Sequence, residues 1–175
     1  MPIPRSLTAV GVLVTTMSAS CFDPVHDDQI AALGPEVAGV PEGPTHRPGQ
    51  PCRTCHGGDG PGSPEWIVAG TLYRVRGAPA ALSGGRVIVR DSSANPVERT
   101  ILSNSVGNFY ISKDEWAPVF PIFVRLEYVG SDQTVRTAEM LTPIGRNGGC
   151  GFCHYGSDDE PSHMPPVFLA KTELE

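Results

Sequence analysis

Four of the five cysteines in this chain fall into two identical patterns, Cys52-Arg53-Thr54-Cys55-His56 and Cys150-Gly151-Phe152-Cys153-His154; the fifth is Cys21. Two thiols three positions apart with an imidazole directly behind them support three kinds of chemistry. The thiols can add to the two vinyl groups of one porphyrin while the histidine coordinates its iron, which is c-type haem attachment. Four thiolates can hold a zinc ion. Each pair can also close as a disulfide in an oxidising compartment. The histidines weigh on the choice. With five in 175 residues, about one position in thirty-five is histidine, so two chance placements behind two Cys-x-x-Cys pairs have odds on the order of one in a thousand. A zinc knot leaves both histidines without a role, and neither motif opens an amphipathic helix in a βαβ setting, as a thioredoxin-like site would. The expectation is two haem c groups, bound through Cys52, Cys55, Cys150 and Cys153, with His56 and His154 as proximal iron ligands. Zinc and disulfides stay open as alternatives.

For the sixth ligands the chain offers His26, His46, His163, Met140 and Met164. His26, beside Asp27 and Asp28, reads as a solvated residue, and Met140 as core packing at a strand end. His46 lies six residues before Cys52 and His163 nine after His154. At about 3.3 Å per extended residue either can reach its own haem or the neighbouring one, so reach does not fix the pairing. Met164 adjoins His163, and in an extended segment their side chains point to opposite sides. His163 is the expected ligand, because His46 offers a bis-histidine pair elsewhere and methionine would raise that haem's potential. The expected metal ligands are therefore His56, His154, His163 and His46.

The segments that carry these residues begin with an export signal. Arg5 precedes a charge-free apolar stretch over 7–17, followed by Ser18-Ala19-Ser20 and Cys21. That stretch is shorter than the roughly 20 apolar residues of a permanent membrane helix. Met17-Ser18-Ala19-Ser20-Cys21 resembles the lipobox of bacterial lipoproteins, with Ser18 where leucine is usual; the resemblance implies a diacylated Cys21 as the new N-terminus. Phe22 rather than Asp after that cysteine, by resemblance to sorting signals, implies the outer membrane. With Cys21 lipidated, every cysteine has a use, as an oxidising compartment favours. A net charge of -6 with only two lysines, Lys113 and Lys171, argues against nucleic acid as a partner.

Glycine and proline make up 38 residues, 20 plus 18, which points to short elements and many loops. The chain divides into a signal peptide (1–20), a lipidated tether with the first haem-binding segment (21–65), a β-sandwich (66–141) and a second haem-binding segment (142–175). A short helix is predicted over 28–33, closed by Gly34 and Pro35. In the sandwich, Val87 and Val89 alternate on one strand and Ile122, Val124, Leu126 and Tyr128 on another, so both faces should meet in the core. Further strands are predicted at 67–75, 97–102, 108–112 and 134–140, with turns at 83–85, 92–96 and 107–108, a mainly β fold. Val68-Ala69-Gly70-Thr71-Leu72-Tyr73, Gly85-Arg86-Val87-Ile88-Val89 and Ser103-Asn104-Ser105-Val106-Gly107-Asn108-Phe109-Tyr110 resemble the carboxypeptidase-regulatory-like (transthyretin-like) domain family over about 75 residues. That family implies a non-catalytic packing or adhesion module, and both cysteine motifs would lie just outside it.

Lipobox, paired motifs and intervening sandwich together resemble bacterial cell-envelope lipoproteins with two Cys-x-x-Cys-His motifs. The resemblance implies a dihaem c-type cytochrome that passes electrons between redox partner proteins of the envelope, lipid-anchored to the membrane and not an enzyme. Two other readings stay open: a dihaem peroxidase or ligand sensor, for which the chain looks short, and an envelope adhesion or scaffolding lipoprotein whose haems or disulfides are structural.

Overall fold

The computed structural model describes residues 23–36, 38–75, 80–155 and 164–170. The signal stretch, Cys21 and His163 lie outside the described residues. The fold is mainly β, as the alternation predicts. Among the described residues, helix α1 (Pro24–Ala32) and the helical turn α2 (Arg53–His56) precede nine short strands. The helix starts earlier than the predicted 28: the Asp23 side chain accepts from the backbone N–H groups of Val25 and His26, and Pro24 occupies the first turn. Both are helix-start signals, an acidic cap followed by proline at a position that needs no donor.

Strands β1 (Trp66–Thr71), β2 (Tyr73–Val75), β3 (Arg86–Arg90), β4 (Glu98–Leu102), β5 (Asn108–Ser112), β6 (Phe123–Val129) and β7 (Val135–Glu139) match the predicted runs. The expected 67–75 strand is split at Leu72, whose N–H donates to Gly107 O at 2.9 Å and whose carbonyl accepts from Leu82 N at 2.9 Å. Gly107 makes that crossing possible. It has φ +81, and a Cβ there would stand 2.3 Å from Leu72 O.

One sheet has the order β4-β3-β6-β7, all antiparallel. Its register pairs Val87 with Leu126 and Val89 with Val124, which puts those side chains on one face. A second sheet pairs β5 with β1. Val87, Val89 and Leu126 from the first sheet, with Ile122 just before β6, meet Val68, Phe109 and Ile111 from the second in one buried cluster, a small sandwich. Each such side chain contributes roughly 1.5–3 kcal/mol by leaving water.

The sequence places the second motif just outside this sandwich; in the structure the segments on either side of it pair with β1 and β2. Strand β8 (Gly148–Gly149) runs parallel to β1, and β9 (Phe168–Ala170) runs parallel to β2. Leu169, 7% exposed, belongs to the core cluster. Strand β8 thus adds an edge to the β5-β1 sheet, while β9 forms a separate two-stranded sheet with β2, pairings that a β-propensity reading of two glycines could not suggest. Among the described residues no helix is long and apolar enough to cross a membrane.

Candidate functional site

The two motifs, 94 or more residues apart in sequence, adopt the same local geometry. In the first, Cys52 O accepts from Cys55 N at 3.3 Å and from His56 N at 3.0 Å. In the second, Cys150 O accepts from Cys153 N at 3.3 Å and from His154 N at 2.9 Å. A tight helical turn results in each case, and it places both thiols and the imidazole of one motif on a shared side. The chain then returns over each turn in the same way. Gly62 N donates to Cys55 O at 2.8 Å, and Met164 N donates to Cys153 O at 3.0 Å.

That return fixes the histidines. His56 Nδ1 lies 2.8 Å from Pro64 O, and His154 Nδ1 lies 2.8 Å from Pro165 O. A carbonyl only accepts, so Nδ1 carries the proton in both rings and Nε2 keeps its lone pair. A metal-binding histidine is commonly oriented in this manner, its second nitrogen donating to a carbonyl. His26 has the opposite arrangement. Its Nε2 is 2.7 Å from Thr54 O, so it ties α1 to the first motif as a half-buried structural residue rather than standing solvated in a tether.

Around the first motif the walls are close. His56 is 9% exposed, with Trp66 at 5.3 Å between ring centroids on one side. A Cβ on Gly62 would come within 2.8 Å of the same imidazole, so only glycine lets the chain pass there. Trp66 stacks in turn on Tyr110 at 4.3 Å. A cavity of about 660 Å³ opens beside them, lined by His46, Cys52, Cys55, His56, Trp66 and Tyr110 among others. This lies within the size range of pockets that take cofactors.

The two motifs abut. A Cβ on Gly151 would sit 2.9 Å from Pro51 Cα, and a Cβ on Gly70 would sit 2.8 Å from Cys150 Cβ. Burial pushes the Cys150 thiol up to about 12, with the Cys52 thiol nearby adding to the effect. Burial also pushes Cys52 up to about 11 and raises Cys55. All four thiols are free. A four-thiolate zinc knot needs the sulfurs gathered at one point, and among the described residues no group of three or more His, Cys, Asp or Glu converges to hold a metal. A haem makes a different demand: two thiols and one imidazole per motif on one side of a turn, with Nε2 unclaimed. Both motifs meet it.

Of the sequence-predicted residues, Cys52, Cys55, His56 and His46 share the cavity, while Cys150, Cys153 and His154 form the neighbouring turn. Met140 follows β7, half-buried, its N–H donating to Val124 O at 3.0 Å. Sequence reasoning missed Pro64 and Pro165. Their contribution is a backbone carbonyl, which any residue could supply, although a proline eight and eleven residues beyond each histidine was there to be noticed. No protein-family profile, curated protein or solved structure matches this chain.

Proposed function

We propose that this chain is an electron-transfer protein of the bacterial cell envelope that carries two covalently attached c-type haems and is anchored by lipid at Cys21. The observation that carries the reading is the duplicated turn, in which His56 and His154 each bond a proline carbonyl through Nδ1 at 2.8 Å and leave Nε2 free. Cys52 and Cys55 would hold one haem and Cys150 and Cys153 the other, each S–H adding across one vinyl double bond, so attachment needs no oxidant. Bound in this way, haem supplies a reversible one-electron couple whose potential follows its axial ligands and its exposure.

The residues do the rest. Pro64 O and Pro165 O orient the two imidazoles, and Trp66 and Gly62 keep water from the His56 ring. Contact of Gly151 with Pro51 brings the two motifs together, which favours exchange between paired centres over storage at two isolated ones. Met164 forms a bridge with His154, and bridged residues share a side, so Met164 stands beside the proximal ligand of the second haem. His163 would supply the sixth ligand of the second haem, as its place in the sequence suggests. Partners would be redox proteins of the envelope, with the outer membrane as the anchoring surface and no reaction catalysed.

The test is a haem stain on denaturing gels of protein made with a c-type maturation system. Two haems per chain, with Cys55→Ala and Cys153→Ala each losing only its own, support the reading. One haem or none in the unmutated chain overturns it. Palmitate labelling that persists in Cys21→Ala would overturn the anchor alone.

A further inference from the structure

We infer that His46 and His56 are the two axial ligands of one iron, that of the first motif's haem, and that Asn108 of the sandwich is the positioning residue for His46. The inference rests on the dihaem reading and extends it to the ligand set. The two imidazoles have centroids 5.9 Å apart, tilted by 39°. With a metal–imidazole nitrogen bond of about 2 Å on each side, two rings across one iron have centroids about 6 Å apart. Both rings line the cavity that Cys52 and Cys55 also line. His46 Nδ1 contacts the backbone of Gly43, both its carbonyl and its N–H. His46 therefore matches His56 in having Nδ1 engaged by the backbone and Nε2 without a partner among the described residues.

The loop that carries His46 needs holding, because Arg47 has φ +49, in the left-handed region that a side chain disfavours. The sandwich holds it. Asn108, at 5% exposure, donates through Nδ2 to His46 O at 3.0 Å and to Pro44 O at 3.3 Å. Asn104 Nδ2 donates to Pro44 O at 2.6 Å. The Asn108 Oδ1 accepts from Thr71 Oγ1 at 2.8 Å, and that hydroxyl accepts from Gly49 N at 2.7 Å. β1 and β5 thus grip the loop on both sides of His46, and Asn108 touches the ligand's own carbonyl. A buried amide here is explained by the loop it holds, since every one of its bonds ends on the loop or on Thr71.

The experiment uses the full haem-loaded chain and reads spectra and potentials. In His46→Ala, one of the two haems should change from low to high spin and bind carbon monoxide when reduced, and added imidazole should restore the low-spin spectrum. In Asn108→Ala the haem count should stay at two, while one potential moves and carbon monoxide binding at that haem rises from none to measurable. If His46→Ala does not fold, near-infrared magnetic circular dichroism of Cys153→Ala, which keeps only the first motif's haem, decides instead, through a band that separates bis-histidine from histidine–methionine and histidine–water ligation. Two attached haems with a spectrum indifferent to His46→Ala, or a Cys153→Ala spectrum without a bis-histidine band, overturn this inference and leave the dihaem reading standing. An Asn108→Ala variant whose potentials are unchanged removes the positioning role. A chain with no covalent haem overturns the dihaem reading itself.

Discussion

At the first motif His56 is 9% exposed, walled by Trp66 and Gly62 and faced by His46 across a cavity. At the second, Cys153 is exposed, Tyr155 is 40% exposed and Met164 50% exposed. Yet the two backbones repeat the same four hydrogen bonds: two into the first cysteine's carbonyl, one into the second's and one from the histidine to a proline. The local turn settles how a ligand is aimed. What surrounds the turn settles how much water reaches it, and exposure is among the quantities that tune a haem's potential. On the proposed reading the first centre is the enclosed one and the second is the face toward a partner.

The largest effect should come from the contact between the two motifs. Gly151→Val would drive a side chain into Pro51 Cα, at 2.9 Å from the Cβ alone, and into Gln50 O, and both are backbone atoms that cannot swing aside. The expected loss is about 3 kcal/mol or more, against under about 0.5 kcal/mol for Gly145→Ala, where a Cβ meets nothing within 4 Å. Denaturant melts of the two variants check this. Equal stability would mean that the motifs do not abut.

Leu169→Ala should cost about 2–4 kcal/mol, because this side chain of the second segment is buried in the sandwich core, while Met164→Ala should be nearly silent. The pair separates the anchored side of the second segment from its open side. A fragment that stops at residue 141 lacks β8 and β9 and should melt below the full chain for the same reason.

On the proposed reading, a smaller effect concerns the thiols before haem is attached. Burial raises Cys52 to about 11 and Cys150 to about 12, above the range of an unfolded thiol near 9. A raised thiol favours the fold while it is protonated, so its contribution is complete below about pH 9 and is lost as pH climbs toward the folded values. Unloaded protein should therefore melt progressively lower above pH 9, an effect absent from loaded protein, whose sulfurs are thioethers. Alkylation at pH 8 should reach the exposed Cys153 first and Cys150 last. Uniform labelling would erase the contrast in burial between first and second thiols.

Most of the strand plan was legible in the sequence, because alternation of Val87 with Val89 and of Ile122 with Leu126 expresses a face that must be dry. The helix start was legible too, in Asp23 and Pro24, although the predicted helix began later. Strands β8 and β9 were not. Two glycines carry no strand propensity, and Phe168-Leu169-Ala170 is too short to stand out until β2 is there to pair with it. For the site, spacing named the four cysteines and two histidines but could not say which way the imidazoles face.

The sequence by itself determined the mainly β fold, the core faces and the six motif residues, since all of these depend on residue type at short range. Only the tertiary structure decided that Pro64 and Pro165 aim the histidines, that His26 braces the first motif, that the motifs touch at Gly151, and that His46 faces His56 under the hold of Asn108. Each of these is a contact made by a backbone carbonyl, by a missing side chain or between residues tens of positions apart. Composition and periodicity report none of them, because they record what a residue is and not what the folded chain brings beside it.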